Sequence, residues 1–329
     1  MRRIAVLGAT GLVGEQVIKV LEQRNFSVDE LFAFASEKSE GSVVQFKDTE
    51  VEVLSDFESF IDKVDIVFSC LDSPLAQDIV PKFRDSAVVI DNSNAFRMAG
   101  DVPLIIPEVN PEKVKEHKGI IANPNCSTIQ MLVALYPLHR QSKIRKIWVA
   151  TYQSVTGQGK DALDELQYEL ECLLMDESIN LADKRVFQHP IGNNVIPQIG
   201  SFNDEGYTSE EMKMVNETRK ILDDDSIQVT ATCVRVPVYV GHSEAVSVEF
   251  AAPMSPQQAK EILQDAPGVV LFKKEHTYPL PVYVAGKDDV YVGRIRKDMI
   301  FENGLAMWIV ADNVRKGAAL NAVQIAELL

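Results

Sequence analysis

Cysteine is scarce in this chain: four in 329 residues, at Cys70, Cys126, Cys172 and Cys233, with no C-x-x-C pair among them. That spacing argues against a zinc site and against a dense disulfide framework, and leaves room for a single working thiol. The five histidines show no i, i+4 pairing and no accompanying cluster of carboxylates, so no metal is expected. Positive charge is also short, since 33 Lys and Arg stand against 48 Asp and Glu for a net charge of -15. Nucleic acid and anionic membrane are disfavoured as partners, because both are repelled at long range. An anionic ligand must therefore be held by local cations. No apolar run approaches the ~20 residues of a membrane span. Met1-Arg2-Arg3 leads into a short apolar run and then glycines, not into a leader, so a soluble cytoplasmic protein is expected. Internal repeats, low-complexity tracts and flexible linkers are missing too.

With 46% hydrophobic and 25% charged residues, the composition is that of a globular protein with material for two domains. Ile4 to Leu7 is an apolar run, followed by Gly8-Ala9-Thr10-Gly11-Leu12-Val13-Gly14 and a helical pattern through Val17, Ile18, Val20 and Leu21. Strand, turn and helix follow in the dinucleotide-binding order. Further strands are expected at Leu31 to Ala35, Asp65 to Phe68 and Ala87 to Ile90, with a helix from Pro74 to Phe83, which is the alternation of a parallel sheet. After Cys126 the texture changes to an apolar helix ending near His139, a strand at Ile147 to Tyr152 and an amphipathic helix over Lys160 to Met175. Strands then follow at Ile227 to Val238, Glu244 to Ala252, Val290 to Arg296 and Leu305 to Ala311. Their alternation fits a sheet with one exposed face. The fold class expected is α/β: a Rossmann-type dinucleotide-binding domain over 1–125 plus 313–329, and an α+β catalytic and dimerisation domain with a mixed sheet over 126–312.

The glycine motif has a physical reading. Gly8 allows the tight turn, Gly11 lets backbone approach a pyrophosphate, Gly14 permits close packing of helix on strand, and the helix N-terminus faces the phosphates. Thr10, Leu12 and Val13 complete that loop. Cofactor choice is read after the second strand, where Ala35-Ser36-Glu37-Lys38-Ser39 offers hydroxyls from Ser36 and Ser39 and a charge from Lys38. NADP is favoured over NAD. The segment Asn123-Pro124-Asn125-Cys126-Ser127-Thr128 precedes an apolar helix and sets the thiol at its N-terminus, where the dipole and free N–H groups stabilise a thiolate. Two readings stand open for such a cysteine, a small buried residue at a helix start or a nucleophile. A thiolate nucleophile needs an acid and base nearby. Of the histidines, His242, after a strand and at the Gly241 turn, is the best placed.

These motifs, together with Gln153, Arg235 and the ending Asn313-Val314-Arg315-Lys316-Gly317-Ala318-Ala319, resemble the aspartate-semialdehyde dehydrogenase family nearly end to end. The resemblance implies reduction of L-aspartyl 4-phosphate by NADPH to L-aspartate 4-semialdehyde and phosphate, on the way to lysine, methionine, threonine and isoleucine. It assigns Cys126 as nucleophile, His242 as acid and base, and Gln153 to positioning the reacting centre. By the same resemblance Arg235 holds the substrate carboxylate, Arg97 and Lys213 bind phosphate, Glu210 receives the substrate amino group and Asn125 lies at the substrate. Ser73 and Asn313 join the cofactor residues. A homodimer built by the second domain is implied, with the C-terminal helix packed on the nucleotide domain. Ser154, Thr156 and Cys70-Leu71-Asp72-Ser73 depart from the family's usual pattern.

The same residues disfavour three other functions. N-acetylglutamyl-phosphate reductase shares the thiol chemistry, but the Asn-Pro-Asn-Cys-Ser-Thr box argues against it. Glyceraldehyde-3-phosphate dehydrogenase is disfavoured by the lack of its acid after the second strand and of its nucleophile box. A non-catalytic NADP-binding sensor has no physical reason to keep Cys126, Gln153, Arg235 and His242 together.

Overall fold

The apolar run at the start of the chain is strand β1 (Arg3–Leu7), buried from Ile4 onward. The computed structural model describes residues 2–179, 186–274 and 276–329. These divide into one unit of Met1–Asn125, Lys220–Leu222 and Gly317–Leu329 and a second of Cys126–Arg219 and Asp223–Lys316.

In the first unit β1 leads into α1 (Leu12–Gln23), whose stripe of Val17, Ile18, Val20 and Leu21 is buried on the sheet. β2 (Glu30–Phe34), β3 (Val43–Phe46), β4 (Thr49–Leu54), β5 (Ile66–Ser69), α2 (Ser73–Ile79), β6 (Val88–Asp91) and β7 (Ile120–Ala122) follow. The strand order is β3-β4-β2-β1-β5-β6-β7, and every pair is parallel except β3 with β4. Without β3 this is the 3-2-1-4-5-6 order of a dinucleotide fold. The purely parallel sheet expected from the sequence is therefore corrected to a mixed one. The hairpin β3–β4, for which no strand was expected, is studded with Gln45, Lys47, Asp48, Glu50 and Glu52 and forms an edge ribbon with a wet face.

The second unit opens with α3 (Cys126–Gln141), which is buried along most of its length and so lacks a polar face. β8 (Ile144–Gln153), α4 (Lys160–Leu174), α5 (Ser209–Leu222), β9 (Gln228–Arg235), β10 (His242–Phe250), α6 (Pro256–Gln264), β11 (Val269–Leu271), α7 (Pro281–Val284), β12 (Val290–Lys297) and β13 (Gly304–Ala311) complete it. The sheet order is β11-β12-β13-β10-β8-β9, with β8 parallel to β9 and antiparallel to β10. β9 ends before Val236-Pro237, where proline has no N–H for the ladder. The chain closes with α8 (Leu320–Glu327), which packs in the first unit, its Leu320, Val323 and Ile325 buried beside Val17 and Leu21 of α1. Burial of such side chains stabilises by on the order of 2 kcal/mol each, more than the half-exposed Arg24–Glu327 ion pair at 2.6 Å between the same helices can add.

Candidate active site

The glycine turn is built as a cradle. Gly8 sits at φ +77, a conformation L side chains rarely adopt, and a Cβ there would meet the Cys70 carbonyl oxygen at 2.8 Å. A Cβ on Gly14 would overlap the Gly8 carbonyl, so α1 can approach the turn only because that atom is missing. The backbone N–H groups of Gly8 and Ala9 donate to the Phe34 carbonyl at 2.8 and 2.9 Å, tying the turn to the end of β2. A cleft of about 970 Å³ opens here, lined by Gly8, Thr10, Gly11, Ser36 and Lys38 among others. Ser39 lies outside that lining, its hydroxyl 3.4 Å from that of Thr10. Gly14 packs inside the turn, while Leu12 and Val13 form the first turn of α1. The far wall, Ser55 to Glu58, follows β4 and escaped the sequence reading along with the hairpin. Ser73 begins α2 and its hydroxyl bonds to Asn94. Three features suit a dinucleotide: the tight glycine turn, free N–H groups at the start of a twelve-residue helix, and a cleft of this volume.

Also in the first unit, Arg97 is buried, donating through Nε to the Asn123 carbonyl at 2.9 Å and through Nη2 to the Asn92 carbonyl at 2.8 Å. Asn125, likewise buried, immediately precedes the thiol in the chain.

In the second unit, strand direction gathers the remaining candidates. Parallel β8 and β9 run out at Gln153 and Arg235, which are register partners, and antiparallel β10 begins at His242 on the same edge. Cys126 is the first residue of α3 and is partly exposed. Gln153 accepts from the Thr151 hydroxyl at 3.0 Å and donates to Glu210 at 3.1 Å; Glu210 in turn accepts from Lys213 at 2.9 Å. Glu210 is buried, so this ion pair is not the plain surface pair that its i, i+3 spacing would equally permit. Arg235 is buried, donates through Nη1 to the Ser154 carbonyl at 2.6 Å and lies over the Phe187 ring at 5.9 Å. Burial lowers its pKa, and the charges of Glu210 and Cys126 oppose that shift.

His242 is fully buried. Its Nδ1 accepts from the Ser154 backbone N–H at 3.0 Å and lies 3.1 Å from the Ser154 hydroxyl, while Nε2 has no hydrogen-bond partner. Burial first, and then the Arg235 charge, push its pKa down to about 3. Nε2 points to the same place as Arg235 Nη1: a Cβ on Gly157 would lie 2.9 Å from the guanidinium nitrogen and 3.3 Å from Nε2. Asn313, expected at the cofactor, sits inside the second unit. Its Oδ1 accepts from Ser154 Oγ and from the Gly241 N–H, both at 2.9 Å, which locks the turn that presents His242. Ser154 and Gly157 were not singled out as site residues by the sequence reading. Their signal was the Gln153-Ser154-Val155-Thr156-Gly157-Gln158-Gly159 run directly after a strand. A partly exposed cysteine, a buried neutral imidazole, a buried guanidinium and a carboxylate–carboxamide pair can together attack, orient and reprotonate a small acid with a reactive carbonyl.

Family models described as "Semialdehyde dehydrogenase, NAD binding domain" and "Semialdehyde dehydrogenase, dimerisation domain" match residues 3–117 and 135–316. Over 99% of the chain and 97% of the relative, the sequence is 51% identical to aspartate-semialdehyde dehydrogenase of Aquifex aeolicus. The structure is similar to that of aspartate semialdehyde dehydrogenase II from Vibrio cholerae complexed with ASA, at 48% identity and a TM-score of 0.97, covering 100% of this chain and 98% of the other. It is also similar to the Candida albicans enzyme with NADP, at 27% identity and a TM-score of 0.76, covering 100% and 98%.

Proposed function

The chain belongs to the aspartate-semialdehyde dehydrogenase family of oxidoreductases, and from that membership we propose that it converts L-aspartyl 4-phosphate and NADPH reversibly into L-aspartate 4-semialdehyde and phosphate through a Cys126 thioester. The observation that carries this reading is the convergence of Gln153, Arg235 and His242 at one sheet edge, with Arg235 electrostatically coupled to Cys126 and Glu210. The Cys126 thiolate attacks the acyl carbon, and the oxyanion is met by N–H groups at the start of α3. Phosphate leaves, and Arg97 in the first unit and Lys213 in the second are each read as phosphate-binding cations. A reduced nicotinamide, which the glycine turn of the first unit would hold, would supply the hydride that reduces the thioester. His242 Nε2–H, the acid in this direction, donates to the thiohemiacetal oxygen, whose negative charge then re-forms the carbonyl as the C–S bond breaks and releases the aldehyde and the Cys126 thiolate.

Arg235 grips the substrate carboxylate with its planar fork, Glu210 takes the amino group and Gln153 orients the carbonyl. Asn125 lines the substrate side next to the thiol. In the first unit the loop from Gly8 to Gly14 would hold the pyrophosphate, Ser36, Lys38 and Ser39 would bind the 2′-phosphate of NADP, and Ser73 would join the cofactor contacts. The relative solved with NADP supports that choice. The second unit forms a homodimer through the open face of its sheet, where Trp148 and Tyr152 are exposed and the Tyr152 ring is tilted against Trp308 at a centroid distance of 5.5 Å. The product feeds lysine, methionine, threonine and isoleucine synthesis.

The test follows NADPH absorbance with aspartate semialdehyde, phosphate and NADP for wild type and Cys126→Ala. Phosphate-dependent turnover that vanishes in the variant is expected. NADPH binding without turnover by wild type would leave a nucleotide sensor, and turnover of N-acetylglutamate semialdehyde instead would reassign the substrate.

A further inference from the structure

One buried acid has no part in the chemistry above. Glu244 is fully buried on β10, and neither carboxyl oxygen makes a hydrogen bond of ordinary geometry. Burial raises its pKa well above the usual carboxylate range, opposed by the carboxamide of Gln130, which is the polar group facing it. Gln130 is fully buried as well. Its Nε2 donates to the His242 carbonyl at 3.3 Å, and its Oε1 has no hydrogen-bond partner. A neutral carboxyl carries an O–H donor, and the open Gln130 Oε1 is the acceptor that such a donor needs.

The placement of the two residues gives the pair its meaning. Gln130 lies one turn beyond Cys126 on α3, on the same helix face, and Glu244 lies two residues beyond His242 on β10, on the same sheet face. The contact therefore joins the helix that carries the thiol to the strand that carries the imidazole. Around Glu244, β8 offers Thr151 and β13 offers Ile309 as register partners; the titratable neighbours are Cys233 on β9 and His242 on β10 itself. An apolar pair of similar volume would serve stability equally well or better, because buried polar groups gain little net energy and lose desolvation. What a directional carboxyl–carboxamide pair supplies is a fixed register between α3 and β10.

We propose that Gln130 and Glu244 are positioning residues that set the geometry between Cys126 and His242, acting through the His242 backbone and not on substrate. This rests on the function proposed above, and its test is separable from that function's. Wild type, Glu244→Gln, Glu244→Leu and Gln130→Met are compared for kcat, for KM of aspartate semialdehyde and NADP, for melting temperature, and for the rate of Cys126 alkylation by iodoacetamide. Glu244→Gln keeps kcat within about threefold, because a carboxamide N–H donates as the neutral acid does. Glu244→Leu and Gln130→Met lose kcat by about 10- to 100-fold with both KM values unchanged, the scale expected for a misplacement near 1 Å. If Glu244→Leu fails to fold, Gln130→Met carries the same reading with the acid in place. Full kcat in a folded Glu244→Leu or Gln130→Met, or an equal loss in Glu244→Gln, overturns the proposal. Should wild type itself lack turnover, the proposed function falls, and the brace is then read from alkylation alone. It stands if Glu244→Leu changes that rate by about threefold or more and Glu244→Gln does not, and falls otherwise.

Discussion

The backbone N–H of Ser154 donates to Nδ1 of His242 at 3.0 Å, and this one bond decides which ring nitrogen carries the proton. A backbone N–H can only donate, so Nδ1 presents its lone pair and the neutral ring is protonated at Nε2, on the side shared with Arg235. A proton on Nδ1 would set two donors against each other. Burial and the Arg235 charge act in the same direction and push the pKa down to about 3. The expected outcome is a wild-type kcat/KM with no ionisation assignable to His242 between pH 5 and 9, and a loss of about 10²- to 10⁴-fold in kcat for His242→Gln. An acid limb near the ordinary histidine pKa of ~6.5 that disappears in His242→Gln would contradict the lowered pKa.

Arg235 already uses Nη1 on the Ser154 carbonyl, so its fork is fixed before substrate arrives. An ammonium at that position reaches one oxygen where the guanidinium reaches two. Arg235→Lys is expected to raise KM for aspartate semialdehyde about 10- to 100-fold, in line with a charged hydrogen bond worth roughly 1.5–3 kcal/mol. KM for NADP stays unchanged. Initial-rate kinetics with each substrate varied would check it, and an equal rise in both KM values would point to general disruption.

Much of this arrangement was legible because its signals are local. The turn from Gly8 to Gly14 lies between a strand and a helix, and Cys126 lies at the head of an apolar helix; both were found where the periodicity placed them. The edge ribbon β3–β4 was hidden by its charged wet face, and α6 was overlooked although Ser255 and Gln258 spell a capping box before it. Long-range partners carry no sequence signal of their own. That Ser154 holds His242, or that Asn313 bonds to Ser154 and Gly241, depends on residues up to 159 positions apart meeting in one sheet. Charge gave no hint of Glu244 either, because an acid is read as solvent-facing, although Glu244 alternates in phase with the buried Val246, Val248 and Phe250 of β10.

Gly14 offers a test of the nucleotide cleft that leaves the thiol alone. A methyl group there overlaps the Gly8 carbonyl oxygen, so Gly14→Ala must push the N-terminus of α1 away from the turn that lines the cleft. NADPH binding is expected to weaken by at least about tenfold, with stability lower by roughly 1–3 kcal/mol as for other overpacked sites. Gly100→Ala, where no heavy atom lies within 4 Å of the added carbon, serves as control and leaves both unchanged. Fluorescence titration with NADPH and thermal melts read the two effects separately. Unchanged affinity in a folded Gly14→Ala protein would remove the turn from the cofactor site.

The two buried titratable groups of β10 impose opposite pH dependences on stability. The folded pKa of His242 lies below its unfolded value, so its contribution is fully present above pH ~6.5 and is lost as pH falls toward 3. The folded pKa of Glu244 is raised, so its contribution is fully present below the unfolded value of ~4.3 and is lost as pH rises toward the folded pKa. In that upper window the folded state retains a proton that the unfolded chain releases, which costs up to about 1.4 kcal/mol per pH unit. Glu244→Gln removes this slope while keeping the shape and a donor. Its stability relative to wild type should therefore climb between pH 5 and 8, as measured by urea unfolding at several pH values in one buffer of constant ionic strength. A flat difference across that range would mean that Glu244 is ionised in the folded protein, and its contact with Gln130 would then have to be that of a carboxylate accepting from the amide.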